Sequence, residues 1–104
     1  MSTLAALVDG VIGVDSHRDT LAAAALSPVG GLLGQTAARA NTAGYRELLG
    51  FARSHVPGRR CWAIEGAGSY GAGLAAFLGA NGEQFRQDQG DLWGRWQERY
   101  PTEP

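Results

Sequence analysis

The sequence predicts a single α/β domain in which a three-strand antiparallel meander is followed by parallel strands with flanking helices. Three short apolar runs separated by turn-forming residues open the chain, and two later stretches carry apolar residues at helical spacing. A fourth apolar run lies between those two stretches. Strands that alternate with helices are typical of a sheet containing parallel strands. A chain of 104 residues has room for one such domain.

Composition and charge limit the kinds of partner and the cellular compartment expected for this chain. The chain is 44% hydrophobic and 18% charged, with a net charge of -1 and no lysine. This balance argues against nucleic-acid binding by bulk positive charge, so any DNA contact requires individually placed groups or a partner. Cys61 is the only cysteine, which favours a reducing compartment. No signal-peptide pattern and no apolar run of about 18 residues is present, so a cytoplasmic location is expected.

The first three strands are predicted as a meander. Residues 11–14 are a short β-branched run that delivers Asp15 to the edge of the sheet. Four turn formers follow, and residues 20–26 then predict a second strand, although their four alanines are also compatible with a helix. The Ser-Pro-Val-Gly-Gly turn at 27–31 leads into a third strand over residues 32–39.

A helix is predicted after the meander. Asn41 or Thr42 is suited to cap its N-terminus, and Pro57 marks the position before which it must end. Its apolar stripe consists of Tyr45, Leu48, Leu49 and Ala52. One apolar stripe of this kind predicts a helix that packs against the sheet on one side.

A fourth strand and a second helix follow. Residues 61–64 are an apolar run that ends at Glu65. Ser69 is predicted to cap the second helix, and Gly82 is predicted to end it. The predicted apolar face of this helix consists of Tyr70, Leu74, Phe77 and Leu78.

The last part of the chain differs in character. Residues 83–87 predict a weak fifth strand, because only Phe85 is available for burial. Residues 88–104 are interpreted as a divergent polar tail, which leaves residues 1–87 as the domain itself. Three aromatic residues at helical spacing lie in the tail: Trp93, Trp96 and Tyr100.

Right-handed crossovers make the first, fourth and fifth strands parallel, a layer order that resembles the ribonuclease H-like fold. In that order the carboxyl ends of strands one and four are neighbours, so Asp15 and Glu65 are expected to lie together. Paired carboxylates suit Mg²⁺ or Mn²⁺, and two such ions support phosphoryl transfer in many enzymes. A complete two-metal centre normally has three or four acids. Each acid taken alone is also an ordinary turn or loop residue.

Other polar residues near these acids have structural interpretations beside the functional ones. His17 has the chemistry to contact a metal or a phosphate, but an exposed turn histidine is favoured, and Asp19 is interpreted as a turn residue. The Gly-Ala-Gly-Ser-Tyr-Gly segment at 66–71 lacks the lysine of a P-loop. Its amides are still suited to face a phosphate at a helix N-terminus, which makes Ser69 and Tyr70 candidate phosphate or nucleic-acid contacts.

Three segments between residues 11 and 82 carry a resemblance to a known family. They read V-I-G-V-D-S-H-R-D-T, N-T-A-G-Y-R-E-L-L and W-A-I-E-G-A-G-S-Y-G-A-G-L-A-A-F-L. This combination resembles the N-terminal domain of the DEDD insertion-sequence transposases, the Piv-like, IS-one-ten family of site-specific DNA recombinases. The resemblance implies a RuvC-like fold and DNA cleavage and rejoining with Mg²⁺, in which Asp15 and Glu65 match the first two catalytic acids. It also implies insertion-element DNA and a guide RNA as partners.

The sequence departs from the family pattern after Gly82. The family continues with a hydrophobic strand, a basic stretch and an Asp-Pro-x-Asp pair that completes the metal site, and then with a domain that carries a nucleophilic serine. Asp88 and Asp91 have the spacing of that pair but follow Glu65 too closely, so their spacing is interpreted as coincidence. The favoured interpretation is a truncated catalytic-domain fragment that binds Mg²⁺ or Mn²⁺ weakly and does not cleave DNA alone.

Two further interpretations stay open. One is a non-catalytic fragment that pairs with an intact transposase or with itself, in which the aromatic residues of the tail face the partner. The other is one half of an actin-like or sugar-kinase phosphate-binding fold, which also opens with a strand, an aspartate and a turn. That fold requires glycine at the positions occupied here by Ser16 and His17.

Overall fold

A five-stranded mixed sheet with two helices makes up the described part of the protein. The computed structural model describes residues 8–65 and 70–86 and the backbone of residues 87 and 88. The elements are β1 (Gly10–Ser16), β2 (Thr20–Leu26), β3 (Leu32–Arg39), α1 (Thr42–His55), β4 (Arg60–Glu65), α2 (Ala72–Ala80) and β5 (Gln84–Asp88). Neither described helix has the length and apolar character needed to span a bilayer. The predicted phosphate contact of Ser69 and the predictions for Asp91 and the aromatic residues of the tail concern residues outside those that the structure describes.

The strand order in the sheet is β3-β2-β1-β4-β5. The β1/β2 and β2/β3 pairs are antiparallel, whereas the β1/β4 and β4/β5 pairs are parallel. The predicted α/β class, the meander and the parallel strands are therefore confirmed. The bounds predicted for β2 and β3 agree with the structure, and β5 lies one residue further along the chain than predicted.

Both helices cover one face of the sheet, and the main hydrophobic core lies between them and the strands. Alternate strand residues point into this core because successive side chains in a strand face opposite sides. The sheet contributes Ile12, Val14, Leu21, Trp62 and Ile64, and the helices contribute Leu48, Leu49, Leu74 and Leu78. Complete burial of one large apolar side chain stabilises the fold by about 1.5–3 kcal/mol. The alternate set, which includes Val11 and Ala63, faces the opposite side of the sheet.

The ends of the two helices follow different local rules. Asn41 caps α1 as predicted, since its side chain accepts a hydrogen bond from the Gly44 amide over 2.8 Å. The N-cap of α2 is Gly71, so the prediction of a helix capped by Ser69 is wrong by two positions, and Tyr70 lies before the helix. Gly82 follows α2 with φ of 74°, a left-handed conformation that glycine adopts without a Cβ penalty.

Candidate functional site

The two acids singled out in the sequence are direct neighbours in the sheet. Asp15 on β1 pairs with Glu65 on β4 in the parallel ladder. Adjacent strands lie about 4.8 Å apart, and paired residues of parallel strands point to the same face. The residues flanking these acids, Val14 and Ile64, point into the helix-covered core. Asp15 and Glu65 therefore share the opposite face, at the carboxyl ends of two parallel strands.

The Asp15 carboxylate is positioned by the turn that follows it. Oδ2 of Asp15 lies 3.0 Å from Nε2 of His17, which donates a hydrogen bond to it when that nitrogen carries the proton. The Asp15 side chain is 26% exposed and the His17 side chain 61% exposed. The turn itself is closed by the His17 amide, which donates to the Thr20 carbonyl over 2.9 Å. His17 is thus an exposed turn residue, as expected, and in addition it orients the Asp15 carboxylate.

A third acidic residue lies in the same row. Asp88 is the last residue of β5, and its backbone pairs with that of Glu65. Asp15, Glu65 and Asp88 therefore occupy equivalent positions on β1, β4 and β5. Sequence reasoning placed Asp88 at the start of a tail, because the register of β5 against β4 is not visible in the sequence of β5 itself.

This edge of the sheet offers oxygen ligands for a hard divalent cation. Neighbouring carboxylates repel each other when both are ionised, and a cation such as Mg²⁺ or Mn²⁺ between them removes that repulsion. In the described part of the chain, however, no three or more His, Cys, Asp or Glu side chains are arranged to hold a metal ion. Asp15 and Glu65 are two carboxylates, fewer than a two-metal centre normally has.

A second polar cluster, which the sequence analysis missed, lies at the opposite end of β4. Glu83 has a side chain that is only 7% exposed. It accepts hydrogen bonds from Arg60 Nε and Nη2 over 2.8 and 2.7 Å and from Trp62 Nε1 over 2.9 Å. Arg53 on α1 lies 3.5 Å from the same carboxylate. The cluster joins α1, β4 and the start of β5, so its role is to hold the sheet and the helix layer together.

A signal for this cluster was present in the sequence. A tryptophan in a buried strand needs an acceptor for its indole N–H, and an arginine at the start of the same strand needs a carboxylate when it is buried. Trp62 and Arg60 occupy those positions on β4. What the sequence did not show is which acid lies nearest, because Glu83 is separated from both by the whole of α2.

Because Glu83 ionises, the free energy of unfolding is expected to depend on pH. Burial raises the pKa of Glu83, but hydrogen bonds from Arg60 and Trp62 and the charges of Arg60 and Arg53 outweigh burial, so the pKa lies below its ordinary value. The unfolded chain, with a glutamate pKa of about 4.3, takes up the proton first as the pH falls. Stability from Glu83 is therefore complete above about pH 4.3 and is lost as the pH falls through the lower, folded-state pKa.

Urea melts between pH 7 and pH 3 measure this effect. The free energy of unfolding should fall with pH in the wild type, and it should fall less steeply in Glu83→Gln, which has no carboxylate to titrate at that position. The difference between the two proteins isolates Glu83 from the other acids. Parallel pH profiles for the two proteins would show that the cluster does not lower the pKa of Glu83.

Cys61 lies on the same face of β4 as Glu65, and its surroundings disfavour the thiolate form. Burial raises the pKa of its thiol, and the nearby charge of Arg86 offsets this only in part. Since a cysteine thiol ordinarily titrates near pH 8.5, a further rise keeps it protonated at neutral pH. Cys61 packs with Val8, Val11 and Ala63 as a small core residue.

Tyr70, the one of the two candidate phosphate contacts that the structure describes, lies beside the start of α2 at the same strand ends. Tyr70 is exposed and immediately precedes Gly71, the N-cap of α2. A Cβ on Gly71 would lie 2.8 Å from Ile64 Cγ2, so glycine allows the close approach of α2 to β4. The end of β1, the end of β4 and the start of α2 therefore converge at one edge of the sheet.

In comparisons with known proteins, the sequence matches no protein-family model and no curated protein.

Proposed function

We propose that this chain is the N-terminal part of a ribonuclease H-like, RuvC-like catalytic domain of a DEDD transposase, in which Asp15 and Glu65 hold a divalent metal ion. The observation that carries the proposal is the pairing of Asp15 with Glu65 at the carboxyl ends of adjacent parallel strands. The strand order, with an antiparallel meander on one side and parallel strands on the other, supports it. The resemblance of the three sequence segments, two of which contain these acids, also supports it.

The residues present account for part of the chemistry of such a domain. Asp15 and Glu65 supply carboxylate oxygens for Mg²⁺ or Mn²⁺, and His17 holds the Asp15 carboxylate in one orientation. A bound divalent cation would neutralise charge on a phosphodiester and polarise its phosphorus–oxygen bonds. Two acids provide a partial centre, so the chain by itself is proposed to bind metal weakly without cleaving DNA. Insertion-element DNA and a guide RNA are the partners proposed for the complete enzyme.

Calorimetric titration with Mn²⁺ tests the metal site. The wild type should bind with a dissociation constant of about 0.1–1 mM, the range of weak carboxylate sites. Asp15→Asn and Glu65→Gln should each weaken binding at least about tenfold, because each removes one charged ligand from the pair. Both substitutions keep the size and polarity of the side chain, so the fold should survive them.

Asp19→Asn is the matched control for this titration. Asp19 lies in the exposed turn beside the site, and its loss removes the same charge without removing a proposed ligand. Binding that is equally strong in the wild type, Asp15→Asn and Glu65→Gln would exclude the metal site. A supercoiled plasmid incubated with the chain and Mn²⁺ should stay intact, and nicking that disappears in Asp15→Asn would show a more complete active centre than proposed.

A further inference from the structure

A buried hydroxyl at the end of β1 has no role in the proposed metal site. Ser16 is the last residue of β1, and it is only 4% exposed. Because side chains alternate along a strand, Ser16 lies on the helix-covered face, opposite to Asp15. Its Oγ has no hydrogen-bond partner within the part of the chain that the structure describes. An unsatisfied buried hydroxyl in a folded protein calls for a physical explanation, such as a bound ligand.

The N-terminus of α2 lies beside this hydroxyl. A Cβ built on Gly71 would be 3.4 Å from Ser16 Oγ. Gly71 makes no side-chain capping bond, and the first turn of α2 contains no acidic residue. The first N–H groups of a helix have no partner within the helix, and they form the positive end of its dipole. One buried hydroxyl donor therefore lies against a helix end that attracts an anion.

The other helix of the domain lacks this combination. The N-terminus of α1 is capped by the Asn41 side chain, which accepts a hydrogen bond from the Gly44 amide. A capped helix end offers fewer backbone donors to a ligand than an uncapped end of the same fold. The N-terminus of α1 therefore serves as an internal control for phosphate binding at the N-terminus of α2.

We infer that Ser16 and the first turn of α2 bind a phosphate group. Ser16 Oγ and the backbone amides at the start of α2 donate hydrogen bonds to it, in the way that helix N-termini commonly hold phosphates. The assignment of that phosphate to a nucleic-acid backbone rests on the proposed function, whereas the site itself does not. Asp15 and Glu65 lie at the same strand ends, and their negative charges oppose anion binding until a cation or a substitution neutralises them.

Titration of the isotope-labelled chain with inorganic phosphate, without metal, tests the site by amide chemical shifts. The amides of Ala72, Gly73 and Leu74 should shift with saturation, whereas those of Ala43 and Gly44 at the start of α1 should not. Asp15→Asn should bind phosphate at least as tightly as the wild type, since it removes one opposing charge. This result is expected even if Asp15 does not bind metal, so the two proposals fail separately.

Ser16→Ala tests the hydroxyl, with Ser54→Ala on the exposed face of α1 as its control. Ser16→Ala should weaken phosphate binding about threefold to tenfold, the effect of one lost hydrogen bond, and Ser54→Ala should not weaken it. In the wild type alone, amide shifts of equal size at the starts of both helices, or no amide shift at the start of α2, would overturn the phosphate site. Unchanged affinity in Ser16→Ala would overturn the role of the hydroxyl.

A single-stranded oligothymidylate, titrated in parallel, tests the source of the phosphate. Shifts at the same α2 amides that weaken with added salt and with Ser16→Ala would support a nucleic-acid backbone at the site. Shifts with inorganic phosphate alone would overturn that source and leave a site for small phosphate-bearing molecules.

Discussion

Glu83→Leu is expected to destabilise the domain by about 3–5 kcal/mol, the usual effect of removing one partner from a buried ion pair. Arg60, whose side chain is 11% exposed, would keep its charge but lose the carboxylate to which it donates two hydrogen bonds. The Trp62 indole would lose its acceptor as well. Small domains are stable by about 5–15 kcal/mol, so the urea midpoint of the variant should fall far below that of the wild type.

Two other variants show whether charge or packing causes that loss. The double variant with Arg60→Met and Glu83→Leu has no buried charge, so it should recover part of the stability, with a coupling of about 0.5–3 kcal/mol between the two sites. Glu47→Leu is the matched control, because Glu47 is an exposed carboxylate on α1. It should change stability by less than about 0.5 kcal/mol. A Glu83→Leu protein as stable as the control would mean that the ion pair does not stabilise the fold.

Gly44→Ala is expected to cost at least about 1–3 kcal/mol, the range for overpacking a close contact. A Cβ at Gly44 would overlap the carbonyl oxygen of Arg39 in the backbone that leads out of β3. Backbone atoms cannot rotate away as a side chain does, so the start of α1 would have to move. That movement would also break the capping bond from the Gly44 amide to Asn41.

Gly50→Ala, in the same helix, is expected to stabilise the domain. Gly50 is exposed on α1, and a Cβ there would meet nothing within 4 Å. Alanine is a better helix former than glycine, so this variant should gain about 0.5–1 kcal/mol. Thermal melts of the two variants and the wild type measure these opposite changes in stability. A similar gain in both would show that α1 does not approach β3 as closely as the structure describes.

Local sequence patterns were sufficient to predict most of the secondary structure. The Ser-Pro-Val-Gly-Gly turn at residues 27–31 predicted the boundaries of β2 and β3, because proline and glycine favour the backbone conformations of a tight turn. The stripe of α1 and its cap at Asn41 followed from helical spacing and from the hydrogen bond that a capping side chain makes. The start of α2 was predicted two residues early, since a serine that is suited to capping does not by itself show where the helical turns begin.

Contacts between distant parts of the chain were harder to predict. The pairing of Asp15 with Glu65 was expected because crossover connections place β1 beside β4. The backbone pairing of Asp88 with Glu65 depends on the register of β5, which a strand with one apolar residue does not specify. The burial of Glu83 against Arg60 and Trp62 depends on the path of α2 between them.

The amino-acid sequence by itself determined the kinds of element, their order and the two acids at the carboxyl ends of β1 and β4, Asp15 one residue before the end of β1 and Glu65 at the end of β4, because these depend on turns, spacing and connection rules that act over short distances. Only the tertiary structure decided that three acidic residues stand level across the sheet, that Glu83 anchors a buried ion pair and that Ser16 lies against the start of α2. These features depend on strand register and helix placement, which are set by packing energy summed over the whole core rather than by any one segment.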